Sequence, residues 1–127
     1  MARWGAPEDR IRIGVTADTA RQLKRNARFL GLARIQLLHL IMGWAIRSGE
    51  AKAQVKLHVT YYRLYVRHAK ARCVGIDCSR RMAMRMTRWA VKHGCDMKKR
   101  AWRAAVVRAV WEAWKQRQPF LVSKKLK

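Results

Sequence analysis

The first clear rhythm in the chain runs from residue 10 to residue 15. Ile11, Ile13 and Val15 alternate there with Arg10, Arg12 and Gly14. This is the period of a strand with one buried and one solvated face. So short a strand must pair, and no second clear strand follows at hairpin distance. The same strand of a second copy is the partner this predicts. Thr16 then offers an N-cap hydroxyl, and Asp18 sits where a helix dipole favours negative charge. Ala20, Leu23, Ala27 and Leu30 recur at threes and fours, with Arg21, Lys24, Arg25 and Arg28 on the other face. The pattern predicts an amphipathic helix ended by Gly31 in a left-handed cap. A second helix is predicted from Ala33 to Ser48, carrying Ile35, Leu37, Leu38, Leu40, Ile41, Met42, Trp44, Ala45 and Ile46. Apolar nearly all round, it must be covered on more than one side. A dimer core and the residues that follow are the two candidate covers.

Ser48-Gly49-Glu50 reads as a turn and a boundary. Residues 54–66 fit two periods: Val55, Leu57, Val59 and Tyr61 as a strand, or Val55, Val59, Tyr62 and Val66 as a helix. The lack of Gly and Pro from Glu50 to Cys73 favours the helix. Val74-Gly75-Ile76-Asp77 reads as a break, with Asp77 or Ser79 capping a third helix that Gly94 ends. A last helix is expected from Met97 to Gln118, stopped by Pro119. No internal repeat stands out. The expected organisation is an arm (1–9), an N-terminal domain (10–50), a basic helical extension (51–122) and a basic tail (123–127).

Charge changes the picture most. Thirty Lys and Arg face seven Asp and Glu, a net of +23, among 127 residues of which 50% are hydrophobic. Residues 1–50 hold nine basic and four acidic side chains, and residues 51–127 hold twenty-one and three. Such a surface calls for an anionic partner, nucleic acid or membrane. The most apolar stretch, Leu37–Ile46, falls short of the roughly 18 residues of a span, and the first ten residues lack the apolar core of a secretory signal. A cytoplasmic, nucleoid-associated protein that binds no membrane is therefore expected. Three cysteines suit a reducing compartment.

Strand, capped helix, glycine turn and second helix follow one another over residues 10–48. On Arg10-Ile11-Arg12-Ile13-Gly14-Val15, Thr16, Leu23, Ala27 and Gly31-Leu32, this succession resembles the ribbon-helix-helix (Arc/MetJ-type) family. The resemblance implies an intertwined homodimer whose two antiparallel strands enter the major groove of double-stranded DNA. It implies base readout by Arg10, Arg12 and Gly14, arginine being suited to guanine O6 and N7. It also implies a phosphate site at the start of the second helix, here Ala33, Arg34 and Ile35. The family's usual hydroxyl cap is missing there, although the helix N–H groups remain. The fold expected is mostly α: an N-terminal ribbon-helix-helix unit, its one short strand pairing across a dimer, followed by the basic helical extension.

In the extension, Arg81, Arg85, Arg88 and Lys92 recur at fours and threes on one helical stripe. Met82, Met86 and Trp89 form the apolar stripe beside it. Few acids stand nearby, so a phosphate-tracking face is expected. Lys98, Lys99, Arg100, Arg103 and Arg108 extend the basic surface. Trp102, Val106, Val110 and Trp114, at intervals of four, read as core rather than as base-stacking residues. Cys73, Cys78, His93 and Cys95 would supply a Cys3His zinc site. Their spacing is not that of a standard finger, and buried thiols are common, so no metal or other cofactor is expected.

The acids Glu8, Asp9, Asp18, Glu50, Asp77, Asp96 and Glu112 form no pair suited to acid–base or two-metal chemistry. No phosphate-binding glycine loop appears, and no enzyme is expected. The leading expectation is a DNA-binding dimer, by resemblance a transcriptional repressor or a plasmid or phage DNA-accessory factor. The alternative is a structural RNA-binding component of a ribosome or ribonucleoprotein, since RNA offers the same phosphates.

Overall fold

A computed structural model of the protein describes residues 9–48 and 72–117. Residues 1–8 of the arm, the ambiguous segment at 54–66 and the basic tail lie outside the described residues. The described part is mostly helical, with a short two-stranded antiparallel sheet. In chain order it comprises β1 (Arg10–Thr16), α1 (Ala17–Phe29), α2 (Arg34–Arg47), β2 (Cys73–Ser79), α3 (Arg80–Lys92) and α4 (Arg100–Arg117).

The partner of β1 is β2 of the same chain. Their register pairs Arg10 with Ser79, Arg12 with Asp77, Ile13 with Ile76, Gly14 with Gly75 and Thr16 with Cys73. This corrects the expected pairing across a dimer, and it corrects the expected break at residues 74–77. Gly75 and Asp77 are poor strand formers, which weakens the local signal. Val74, Ile76 and Cys78 nonetheless alternate onto one face, and that face joins Ile11, Ile13 and Val15 in the core. Burying this shared apolar face overrides local propensity.

The second half repeats the first in kind, which the sequence pattern does not display. Each strand has seven residues and leads straight into a helix of thirteen. Thr16 caps α1, its side chain accepting from the Thr19 N–H at 3.2 Å. Ser79 caps α3 in the same way, accepting from Met82 at 3.1 Å. Each thirteen-residue helix ends at a glycine with positive φ, Gly31 at 72° and Gly94 at 87°. A longer helix follows each time. The halves share this geometry through different residues, Leu23 against Met86 and Asn26 against Trp89, so residue identity hides the repeat.

One core contains both halves. α2 packs against α1, α3, α4 and β2, which explains its nearly all-apolar surface. α4 contributes the fully buried Val106, Val107, Val110 and Trp111 and lies along β1. Burying each such side chain stabilises the fold by about 1.5–3 kcal/mol. The described residues of the expected N-terminal domain and of the extension thus share one core. Trp102 and Trp114 pack against the core as expected, Trp114 meeting Trp44 edge-on with ring centroids 5.5 Å apart. No single helix among the described residues is long and apolar enough to cross a membrane.

Candidate nucleic-acid interface

Because side chains alternate along a strand, residues opposite one another in the register share a face. Ile11, Ile13, Val15, Val74, Ile76 and Cys78 face inward. The other face carries Arg10, Arg12, Gly14 and Thr16 from β1, and Cys73, Gly75, Asp77 and Ser79 from β2. Arg10 and Arg12 are exposed. Gly14 is half-buried, and a methyl group placed on it would lie 3.7 Å from the Arg100 Cγ. The stem of Arg100 thus covers Gly14 from the start of α4. A methyl group on Gly75 would lie 3.3 Å from the Arg12 Cδ. Arg12 therefore leans across the ribbon over Gly75, and its Nε stands 3.6 Å from the Asp77 carboxylate. That ion pair is largely exposed and adds little stability in water.

Basic groups also line two pockets outside the ribbon's outer face. At the start of α2, Lys24, Arg28 and Arg34 line a shallow pocket with Leu32 and Ala33. Ala33 has no capping hydroxyl, and the Gln36 side chain reaches back to accept the Ala33 N–H at 2.8 Å. The Arg34 and Ile35 N–H groups belong to the first helical turn, where no carbonyl within the helix can accept them. The Ile35 side chain is buried, so only its backbone could serve an anion. A second pocket, between α2 and α3, is lined by His39, Arg47, Ser79, Arg81, Met82 and Arg85. Arg81, Arg85, Arg88 and Lys92 are all exposed on α3, while Met86 and Trp89 are buried and Met82 is half-buried. Lys98, Lys99 and Arg100 are exposed before and at the start of α4, and Arg103 is half-buried.

Arg108, which the sequence would add to this surface, is used internally. Its Nη1 reaches Asp18 at 3.1 Å and its Nη2 reaches Glu112 at 2.8 Å. Together with the hydrogen bond from Trp111 Nε1 to Gln22 Oε1 at 2.7 Å, this joins α1 to α4. Burial pushes the Asp18 carboxyl up, but the hydrogen bond from Arg21 and the charge of Arg108 outweigh it and hold the group below its ordinary value.

The four candidate zinc ligands do not converge. No group of three or more His, Cys, Asp or Glu among the described residues could hold a metal ion. Cys73 and Cys78 are five positions apart on one strand, hence on opposite faces. Cys78 is fully buried, 3.9 Å from His39 Nε2, and burial pushes its thiol up to about 12. Burial raises Cys95 as well. Neither favours the thiolate a metal requires. His39 accepts the Ser79 backbone N–H at 3.2 Å through Nε2, and burial and the charge of Arg10 lower its pKa.

Sequence reasoning missed the β2 half of the outer face: Cys73, Gly75 and Asp77. It also missed Lys24 and Arg28 as walls of the α2 pocket. The alternation of Val74, Ile76 and Cys78 ahead of a serine cap was the available signal. No family model, no curated protein and no solved structure matches this chain.

Proposed function

We propose that the chain is a sequence-specific double-stranded DNA-binding protein, which lays the outer face of β1 and β2 into the major groove in the manner of the ribbon-helix-helix family. One observation carries this reading: a two-stranded ribbon turns its apolar face to a helical core and presents Arg10 and Arg12 outward, with the basic helix start at Arg100 beside Gly14 and that at Arg81 and Arg85 beside Ser79. A ribbon of two strands fits the major groove, and arginine is matched to guanine there. Both strands belong to one chain, so a single copy supplies the whole ribbon. The labour divides between two sets of residues. Arg10 and Arg12 read bases. Arg34 with the α2 N-terminus, the Arg81–Lys92 stripe, and Lys98, Lys99, Arg100 and Arg103 hold phosphates. By this reading the protein acts at the nucleoid as a repressor or a plasmid or phage DNA-accessory factor.

The test is selection from a randomised duplex library, followed by binding to the selected duplex, an unrelated duplex and structured RNA across a salt series. The expected result is one enriched duplex motif. Arg10→Ala/Arg12→Ala should lose preference for it while keeping salt-dependent binding to any duplex. Equal binding of RNA and DNA with no motif would instead make the chain a basic ribonucleoprotein component.

A further inference from the structure

A ribbon built from two copies of one strand carries the same residues on either side of its centre, and its target is correspondingly palindromic. Here the two strands differ. The centre is the inward Ile13–Ile76 pair. On one side of it the outer face holds Arg10 opposite Ser79 and Arg12 opposite Asp77. On the other side it holds Gly14 opposite Gly75 and Thr16 opposite Cys73. All three charged residues of the outer face lie in the first half. The second half has two adjacent strand positions without side chains, and the stem of Arg100 enters there from α4.

We infer that the ribbon is polar: one chain reads a non-palindromic duplex site in a single orientation, with base recognition confined to the Arg10–Arg12 half. This rests on the DNA-binding reading above. Within that half Asp77 is a positioning residue. It meets Arg12 at Nε, the inner nitrogen of the guanidinium. That leaves the two terminal nitrogens for guanine O6 and N7, in solvent at the end of a stem that lies over Gly75. In the glycine half only Gly75 is exposed, since the Arg100 stem covers Gly14 and Thr16 is buried, so the ribbon itself presents no charged side chain there. Arg100, rooted in a helix start rather than in the ribbon, contacts a phosphate.

The experiment takes the selected duplex and measures how much preference each base pair carries, for the wild-type chain and for Arg10→Ala, Arg12→Ala, Asp77→Ala, Arg100→Ala and Cys73→Ser. The expected motif has no two-fold axis. Arg10→Ala and Arg12→Ala each remove a roughly ten- to hundredfold preference at base pairs in the same half of the site. Asp77→Ala weakens the preference at the Arg12 base pair and at no other. Arg100→Ala lowers affinity for all duplexes about equally and flattens the salt dependence. Cys73→Ser leaves the motif unchanged. A palindromic motif, or losses from Arg10→Ala and Arg12→Ala that map to opposite halves, overturns the polarity while leaving DNA binding intact. A library that yields no motif overturns both.

Discussion

Ile13 of β1 stands directly opposite Ile76 of β2, at the midpoint of the ribbon, and both side chains are buried in the core formed with the helices. The pair joins the two halves of the chain where the sheet meets the helices. Ile76→Ala should therefore destabilise the whole fold by about 2–4 kcal/mol. Leu40→Ala, at a position 43% exposed, should cost about 0.5 kcal/mol or less. Urea unfolding of the two variants checks the contrast. Equal small losses would mean that β2 does not complete the sheet.

A ribbon closed within one chain predicts a single copy in solution and on the duplex. Light scattering of the purified protein should give 14.9 kDa, the mass of one chain, and titration of the selected duplex should saturate at one chain per site. A species of twice that mass at micromolar concentration would restore the strand exchange between copies that the pattern of β1 alone suggested.

Gly75 permits the close approach of Arg12 across the ribbon. Gly75→Val adds a strand-favouring side chain at an exposed position, so thermal stability should hold or rise by a few tenths of a kcal/mol. The branched side chain occupies the place of the Arg12 stem, and affinity for the selected duplex should fall by about tenfold, on the order of 1.4 kcal/mol. A variant that keeps full affinity would show that Arg12 does not need this path.

His39 couples the core to pH. Its folded-state pKa lies below its ordinary value of 6.5, so the unfolded chain takes up the proton first as pH falls. Its contribution to stability is fully present above about pH 7. That contribution is lost progressively as pH drops through 6.5 toward the lower folded pKa. Denaturant midpoints at pH 7.5 and 5.5 should differ, and His39→Gln, which keeps an acceptor for the Ser79 N–H, should reduce the difference. Asp18, whose pKa is lowered from 3.8, adds its own loss only at more acidic pH. An unchanged pH dependence in the variant would remove His39 as the cause.

The cysteines give a prediction about metal and reactivity. Chelator or added zinc should leave the melting temperature unchanged, because the described thiols do not gather around one point. In the folded protein a thiol reagent at pH 8 should modify Cys73, which is half-buried, well before the buried Cys78 and Cys95. A melting temperature that drops with chelator would contradict this arrangement.

Elements whose local signals agree could be read directly from the chain. The alternation through Ile11, Ile13 and Val15, the Thr16 cap, the period of Leu23 and Ala27 and the stop at Gly31 all point one way, and β1 and α1 are where they predict. The same holds for α3 between Ser79 and Gly94. Of the candidate interface, the outward Arg10 and Arg12 and the exposed stripe from Arg81 to Lys92 followed from periodicity alone, since period fixes which side chains share a face.

What periodicity cannot state is which faces meet. β2 contains Gly75 and Asp77, residues that locally favour a turn, and it becomes a strand only because Val74, Ile76 and Cys78 find the buried face of β1. That choice lies in long-range burial, with about fifty-six residues of chain between the strands. The pairing in turn decided that α2 is covered by α3 and α4, that Arg108 serves Asp18 rather than a ligand, and that the outer face is charged on one half only. Each follows from contacts between distant parts of the chain, and the energy of those contacts is absent from any short window of sequence.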